Sequence, residues 1–297
     1  MIDGIAVLLQ SPAPAGDAAG GMTPLEQAAV GFVVLVVLAL LFPPSSELLR
    51  GLFLPPREPA GRLPRDPVLG ALSMLGYIVI GAVGATIGAS VVSAAGIGDE
   101  AWARLVRGVS ANALQLGAVV LIIASPLFID APRRAMRAGP AAVAGILSLL
   151  LAAPVVLASA LVVQALLTFL GHPPAPEVSH ETLAILRAKD DALFTALTLA
   201  QVAVLVPFAE EAAWRGLMQP AMRRAGLPAL ASAVATAVLF ALVHWSVLSP
   251  DGRITGLTML FLLGTALGLL REHTGGILAP AVAHGLFNAA NVGLAMS

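Results

Sequence analysis

Side chains suited to proton transfer and hydrogen-bond donation interrupt the apolar C-terminal half of this 297-residue chain. Glu210, Glu211 and Arg215 fall between Val206-Pro207-Phe208 and a further apolar turn. His244 closes the next apolar run, and His284 and Asn288 lie in the last one. A charge at mid-bilayer costs about 2.5–3.5 kcal/mol on insertion scales, so each one kept there calls for a partner or a function. Glu211 and Arg215 are four residues apart, which places them on one helix face where they can pair. Glu210 is rotated by about 100° from Glu211 and has no such partner on its own helix. The spacing therefore predicts one carboxylate held ionised and structural, and one left for chemistry. The pairs Phe240–His244 and His284–Asn288 repeat the four-residue spacing. A proton-coupled transporter would use the same residue types.

The elements that position these residues follow from composition. The chain is 58% hydrophobic and 11% charged, with a mean hydropathy of +0.93. Globular chains carry about 45–50% apolar and about 25% charged residues. The shortfall in charge excludes a water-facing surface over most of the chain, and disorder with it. A net charge of -1 excludes a general nucleic-acid binder. The absence of cysteine removes disulfides, thiolate zinc sites and cysteine nucleophiles. The fold class is all-α, a polytopic transmembrane helix bundle of about eight helices.

A membrane helix needs about 20 apolar residues, and eight runs meet that rule: 25–42, 67–96, 108–129, 140–170, 192–222, 227–247, 255–271 and 276–295. Residues 1–24 read as a flexible Pro/Gly-rich tail, 25–185 as membrane helices without a recognised motif, and 190–297 as the motif-bearing membrane domain. Pro154 predicts a kink or an interfacial turn in the fourth span. Gly84–Gly88 and Gly264–Gly268 match the close-packing GxxxG pattern, which chance alone supplies in a chain with 29 glycines. Eleven basic residues, among them Arg133, Arg223, Arg224 and Arg271, fall on one side of this bundle and five on the other. The richer side reads as cytoplasmic. The loop 171–191, with His172, Glu177, His180, Glu181 and Asp190, reads as a solvated connection.

Depth gathers the polar residues. If spans five and six turn near Gly226, Glu210 and His244 both lie roughly 24–27 Å from that turn. If spans seven and eight turn near Gly275, His284 and Asn288 lie roughly 14–20 Å from theirs. Three segments thus bring a Glu, two His and an Asn to neighbouring depths inside the bilayer.

These residues resemble a known family. Glu210-Glu211-Ala212-Ala213-Trp214-Arg215-Gly216 looks like the EExxxR motif of the CAAX-protease and bacteriocin-processing (CPBP, also called ABI) membrane proteins. Phe240-Ala241-Leu242-Val243-His244 resembles their FxxxH motif, and His284-Gly285-Leu286-Phe287-Asn288 their HxxxN motif. The segments Gln219–Arg224 and Gly268–Gly276 are similar too, so the match covers roughly 190–295. Ala212-Ala213-Trp214 departs from the aliphatics and Phe more usual there, which changes packing rather than chemistry.

The resemblance implies an intramembrane endopeptidase related to type II CAAX prenyl proteases. Glu210 would be the general base that activates a water, aided by His244, while His284 and Asn288 would stabilise the tetrahedral oxyanion. Glu211, Arg215 and Phe240 would orient the site. Peptide hydrolysis needs a base for water and donors aimed at the developing oxyanion. The alternative use of Glu210, His244 and His284 is as ligands of a divalent metal such as zinc, since two His and a carboxylate form a common catalytic set. Both options stay open at this point. No HExxH motif, flanked rhomboid-type serine or intramembrane aspartate pair offers a competing protease chemistry. The substrate expected is a membrane-associated peptide or protein met in the lipid bilayer. The location expected is a multi-pass position in a bacterial inner membrane, given an Ala/Arg-rich, nearly lysine-free chain. The reading from another class is a non-catalytic transporter or scaffold that retains the family core.

Overall fold

The computed structural model describes residues 56, 58–171, 185–186, 189–246, 248 and 252–296. The expected tail, the expected span over 25–42, Arg50, Arg57, Arg187, His172, Glu177, His180 and Glu181 lie outside them. The described residues form an all-α bundle with one short two-stranded ribbon. Its helices are α1 (Pro67–Ala94), α2 (Glu100–Ala124), α3 (Ala138–Phe169), α4 (Ala192–Arg224), α5 (Ala229–Leu242), α6 (Arg253–Thr274) and α7 (Leu278–Met296). Strands β1 (Arg62–Pro64) and β2 (Phe128–Asp130) pair antiparallel, with Arg62 opposite Asp130. Helices α1, α2, α3, α4 and α6 are each long and apolar enough to cross a membrane. The chain is a multi-pass membrane protein.

Caps explain several boundaries. Asp66 accepts from the Val68 N–H and Pro67 opens α1, a pairing suited to a first turn that has orphan donors. α2 begins at Glu100, ahead of the expected 108, because Asp99 caps the Trp102 N–H. Arg104 and Arg107 therefore ride on the first turns of α2 and pair with Glu100 at 3.1 and 2.8 Å. α2 stops at Ala124, before Ser125-Pro126, and of the residues expected to continue it Phe128 and Ile129 enter β2 instead. Pro154 lies inside one continuous α3, with no turn at that point.

Span six is shorter than its hydropathy predicts. α5 has 14 residues and ends at Leu242, so His244 sits in the turn beyond the helix rather than inside it. Arg253 draws the chain back there, stacking over Trp245 at 4.8 Å and donating to the Leu248 carbonyl at 3.4 Å.

α4 is not a uniform α-helix. It contains two π-helical segments, Gln201–Leu205 and Ala212–Met218, which bracket Val206–Glu211. Each ends two residues before a proline, Pro207 and Pro220. Proline removes an i→i−4 donor and crowds the preceding turn, so the ladder widens to i→i−5 bonds such as Val206 N–H to Gln201 O and Gln219 N–H to Trp214 O. The widened turns turn carbonyls toward neighbouring helices. Val202 O accepts from Asn288 Nδ2 at 3.0 Å, and Arg215 O from Arg271 Nε at 3.2 Å.

Lipid tails are as apolar as leucine, so helix association here rests on close packing and polar contacts. Both GxxxG pairs supply that packing. A Cβ on Gly84 or Gly88 would come within 2.7 Å of the α2 backbone at Ala111 or Arg107. One on Gly264 or Gly268 would press on Ala237 or Ala233 of α5 at 3.1 or 2.9 Å. α3, α6 and α7 share an apolar core that includes Val156, Ala160, Met259, Leu263 and Phe287.

The β-ribbon end is tied to α6 by basic side chains. Arg133 donates to the carbonyls of Glu272 and His273 at 3.3 Å, and the Met136 N–H donates to Thr274 O at 2.7 Å. Arg271, expected to end the seventh span and counted among the residues that set orientation, is buried, as is Glu272 beside it.

Candidate active site

Four helices supply the polar centre. α4 contributes Glu210, Glu211, Trp214 and Arg215; α5 contributes Phe240 and, just past its end, His244. α6 contributes a carbonyl at Gly264, and α7 contributes His284 and Asn288. Glu211, Arg215, Phe240, His284 and Asn288 are each no more than 2% exposed.

The centre is organised around one carboxylate oxygen. Glu211 Oε1 accepts from Arg215 Nη1 at 2.8 Å and lies 2.9 Å from His284 Nδ1. A carboxylate only accepts, so the His284 hydrogen in this contact sits on Nδ1. The guanidinium spans to α6 as well, donating through Nη2 to Gly264 O at 2.8 Å. That reach depends on Gly264, because the same missing Cβ lets α6 close on α5.

Phe240 stands between these groups. Arg215 Cζ lies 5.0 Å from its ring centroid, and the rings of His244, Trp214 and His284 meet it edge-on at 4.8, 5.8 and 6.2 Å. A guanidinium over an aromatic face gains from the ring quadrupole when desolvated. His244 Nδ1 is 2.5 Å from Phe240 O, which fixes the imidazole beside the end of α5.

Glu210 occupies the adjoining face of α4, as its rotation from Glu211 requires. It is half-buried, its Oε2 has no hydrogen-bond partner among the described residues, and it lies within Coulombic range of His244. Asn288 sits one turn beyond His284 and is anchored by its bond to Val202 O.

Two features were not legible as site residues. Tyr77 of α1, the chain's single tyrosine, packs against the cluster holding Trp214 and Phe240 and lies within Coulombic range of Glu210 and Glu211. Its only signal in sequence is a lone phenol in an apolar span. The second feature is a buried network toward the β-ribbon end. Gln219 Nε2 donates to Glu272 Oε1 at 2.8 Å and to Gly268 O at 2.9 Å. Glu272 also pairs with Arg271 at 3.1 Å and Arg223 at 3.2 Å.

The donor set does not fit the metal option. Among the described residues no three His, Cys, Asp or Glu side chains are gathered closely enough to hold a metal ion. Glu210, His244 and His284, the set that the sequence leaves open for zinc, do not form such a group.

No curated protein and no solved structure matches the chain. Residues 192–290, from the start of α4 through most of α7, match the family model described as Type II CAAX prenyl endopeptidase Rce1-like. That family is a protease family, and the matched stretch contains every polar residue gathered at this centre except Tyr77. Residues 192–290, a third of the chain, are thus similar to an Rce1-like protease domain.

Proposed function

We propose that this chain is an intramembrane endopeptidase of the glutamate type, hydrolysing a peptide bond of a membrane-associated peptide or protein in a bacterial inner membrane. Glu210 takes a proton from a water molecule, with His244 holding that water. The resulting hydroxide adds to the scissile carbonyl carbon. His284, held by Glu211, and the second N–H of Asn288 stabilise the oxyanion. Collapse of the tetrahedral intermediate breaks the C–N bond, and the proton held by Glu210 passes to the leaving amine. Groups fixed before the reaction stabilise the developing charge without reorganisation. Glu211 and Arg215 position His284 and do not touch the substrate.

The observation that carries this reading is the division of labour between the adjacent glutamates. Glu211 Oε1 is taken up by Arg215 and His284, whereas Glu210 lies half-buried on the adjoining face of α4; among the described residues the Oε2 of each glutamate has no hydrogen-bond partner. The metal-free form is supported by the dispersed donor set among the described residues.

The test is cleavage of a peptide library by the purified full chain in lipid nanodiscs. Wild-type protein should cleave with or without 1,10-phenanthroline, and Glu210→Gln should lose cleavage while its thermal unfolding stays within a few degrees of wild type. An active Glu210→Gln variant overturns the mechanism. Chelator-sensitive cleavage restored by zinc overturns the metal-free form. Wild-type protein that transports or binds without cleaving favours the transporter or scaffold.

A further inference from the structure

Hydrolysis inside a bilayer consumes one water at each turnover, so the proposed function, on which this inference rests, requires a supply of water to Glu210. α7 carries three polar residues on one stripe, His284, Asn288 and Asn291, each no more than 2% exposed. Successive members are about 6 and about 4.5 Å apart along the helix axis. A water bridging two polar atoms spans about 5.6 Å, two hydrogen bonds of about 2.8 Å each. The stripe therefore has the step length of a water file.

Its atoms are also unmet by protein. Among the described residues, Asn288 Oδ1 and both Oδ1 and Nδ2 of Asn291 have no hydrogen-bond partner. On α4 the same holds for Thr198 Oγ1, Glu210 Oε2 and Glu211 Oε2. Thr198 is 3% exposed. The two helices run antiparallel, and their register aligns these groups. Gly285 closes on Ala203, and Asn288 meets Val202. Continuing by three residues on α7 brings Asn291 level with residues 198–199, where Thr198 lies. A buried polar group left unmet costs about 1–3 kcal/mol, and proteins meet such groups with ordered water.

We propose that Thr198, Asn291 and Asn288 line a file of bound water molecules that runs between α4 and α7 and delivers the hydrolytic water to Glu210. An amide offers one acceptor and donors, which suits water and a peptide backbone alike. The packing favours water. A Cβ on Gly285, between His284 and Asn288, would lie 2.2 Å from Ala203 O. Helices this close leave no room between them for a polypeptide strand, whose neighbours stand about 4.7–4.9 Å away.

The cysteine-free chain gives a direct test. Single substitutions Asn291→Cys, Thr198→Cys and Ala283→Cys are made in the full chain in nanodiscs and exposed to silver ion, a probe small enough for a narrow aqueous path. Unreacted thiol is then counted with maleimide after denaturation. Ala283, on the apolar face of α7 against α3 and α6, is the dry control. The thiols at 291 and 198 should react about tenfold faster than that at 283, whether or not cleavage is observed; rates equal to the control overturn the file. Asn291→Leu, checked for retained thermal unfolding, should lower kcat about tenfold with KM unchanged, the equivalent of 1.4 kcal/mol. A raised KM with unchanged kcat assigns the stripe to substrate peptide instead and overturns the proposal. Reactive thiols in a wild-type protein that never cleaves would retain the file and remove the protease reading.

Discussion

His284 Nδ1 and Arg215 Nη1 converge on the same atom, Glu211 Oε1, at 2.9 and 2.8 Å. One carboxylate oxygen thereby joins α7 to α4, and the far side of the Arg215 guanidinium joins both to α6 at Gly264. His284 is thus positioned by an ion pair that is itself buried.

Arg215→Ala should destabilise the bundle strongly. Removing one partner of a buried pair leaves an uncompensated charge and costs about 3–5 kcal/mol. Arg215→Lys keeps the charge yet lacks the fork that meets Glu211 and Gly264 O together, so thermal unfolding in nanodiscs should place it between Ala and wild type. The double variant Glu211→Gln/Arg215→Met should lose less than the two single changes added. Additive losses would show that the pair is not coupled.

Gly285→Ala should impair both stability and cleavage, because the new Cβ would sit 2.2 Å from the backbone oxygen of Ala203. Overpacking of this kind costs about 1–3 kcal/mol, and the resulting shift would separate His284 and Asn288 from α4. Gly293→Ala on the same helix meets nothing within 4 Å and should behave as wild type. Equal effects of the two substitutions would refute the contact.

Glu272→Gln should separate stability from catalysis. It removes the charge that Arg223 and Arg271 share, so the midpoint of heat inactivation should fall by several degrees. The surviving folded fraction should keep its kcat, since the network lies on the β-ribbon side of the site. A lost kcat at unchanged stability would place Glu272 in the chemistry.

Orientation is open to a labelling experiment. Ala135 is exposed at the β-ribbon end, and Gly98 is exposed in the α1–α2 turn at the other. The basic residues predict that an impermeant maleimide added to whole cells labels Gly98→Cys and spares Ala135→Cys until the membrane is opened. The opposite pattern would invert the topology.

Much of the bundle could be read from hydropathy, because lipid imposes a length and an apolar character on any crossing helix. α1, α3, α4, α6 and α7 begin and end within a few residues of expectation. α2 and α5 did not, and in each case polar side chains decided the boundary. The Asp99 cap starts α2 early, and the stacking of Arg253 on Trp245 turns the chain soon after α5 ends. Arg271 and Glu272 were hidden for a related reason. A charge near a helix end reads as solvated in sequence, and only its neighbours Gln219 and Arg223 show it to be buried.

What the sequence determined by itself is local. It specifies an all-α membrane bundle, the Glu211–Arg215 pair at four-residue spacing, and Glu210 on the face beside it, since helix geometry sets these within one turn. Two prolines in α4 were in plain view, though not their effect. Tertiary structure alone decided that His284 meets Glu211 rather than Glu210, that Asn288 finds the Val202 carbonyl, and that Tyr77 packs against the cluster holding Trp214 and Phe240. Those relations depend on the rotation and register of separate helices. Register is set where Gly264, Gly268 and Gly285 let backbones touch and where the widened turns of α4 offer a carbonyl, and no spacing along one chain encodes it.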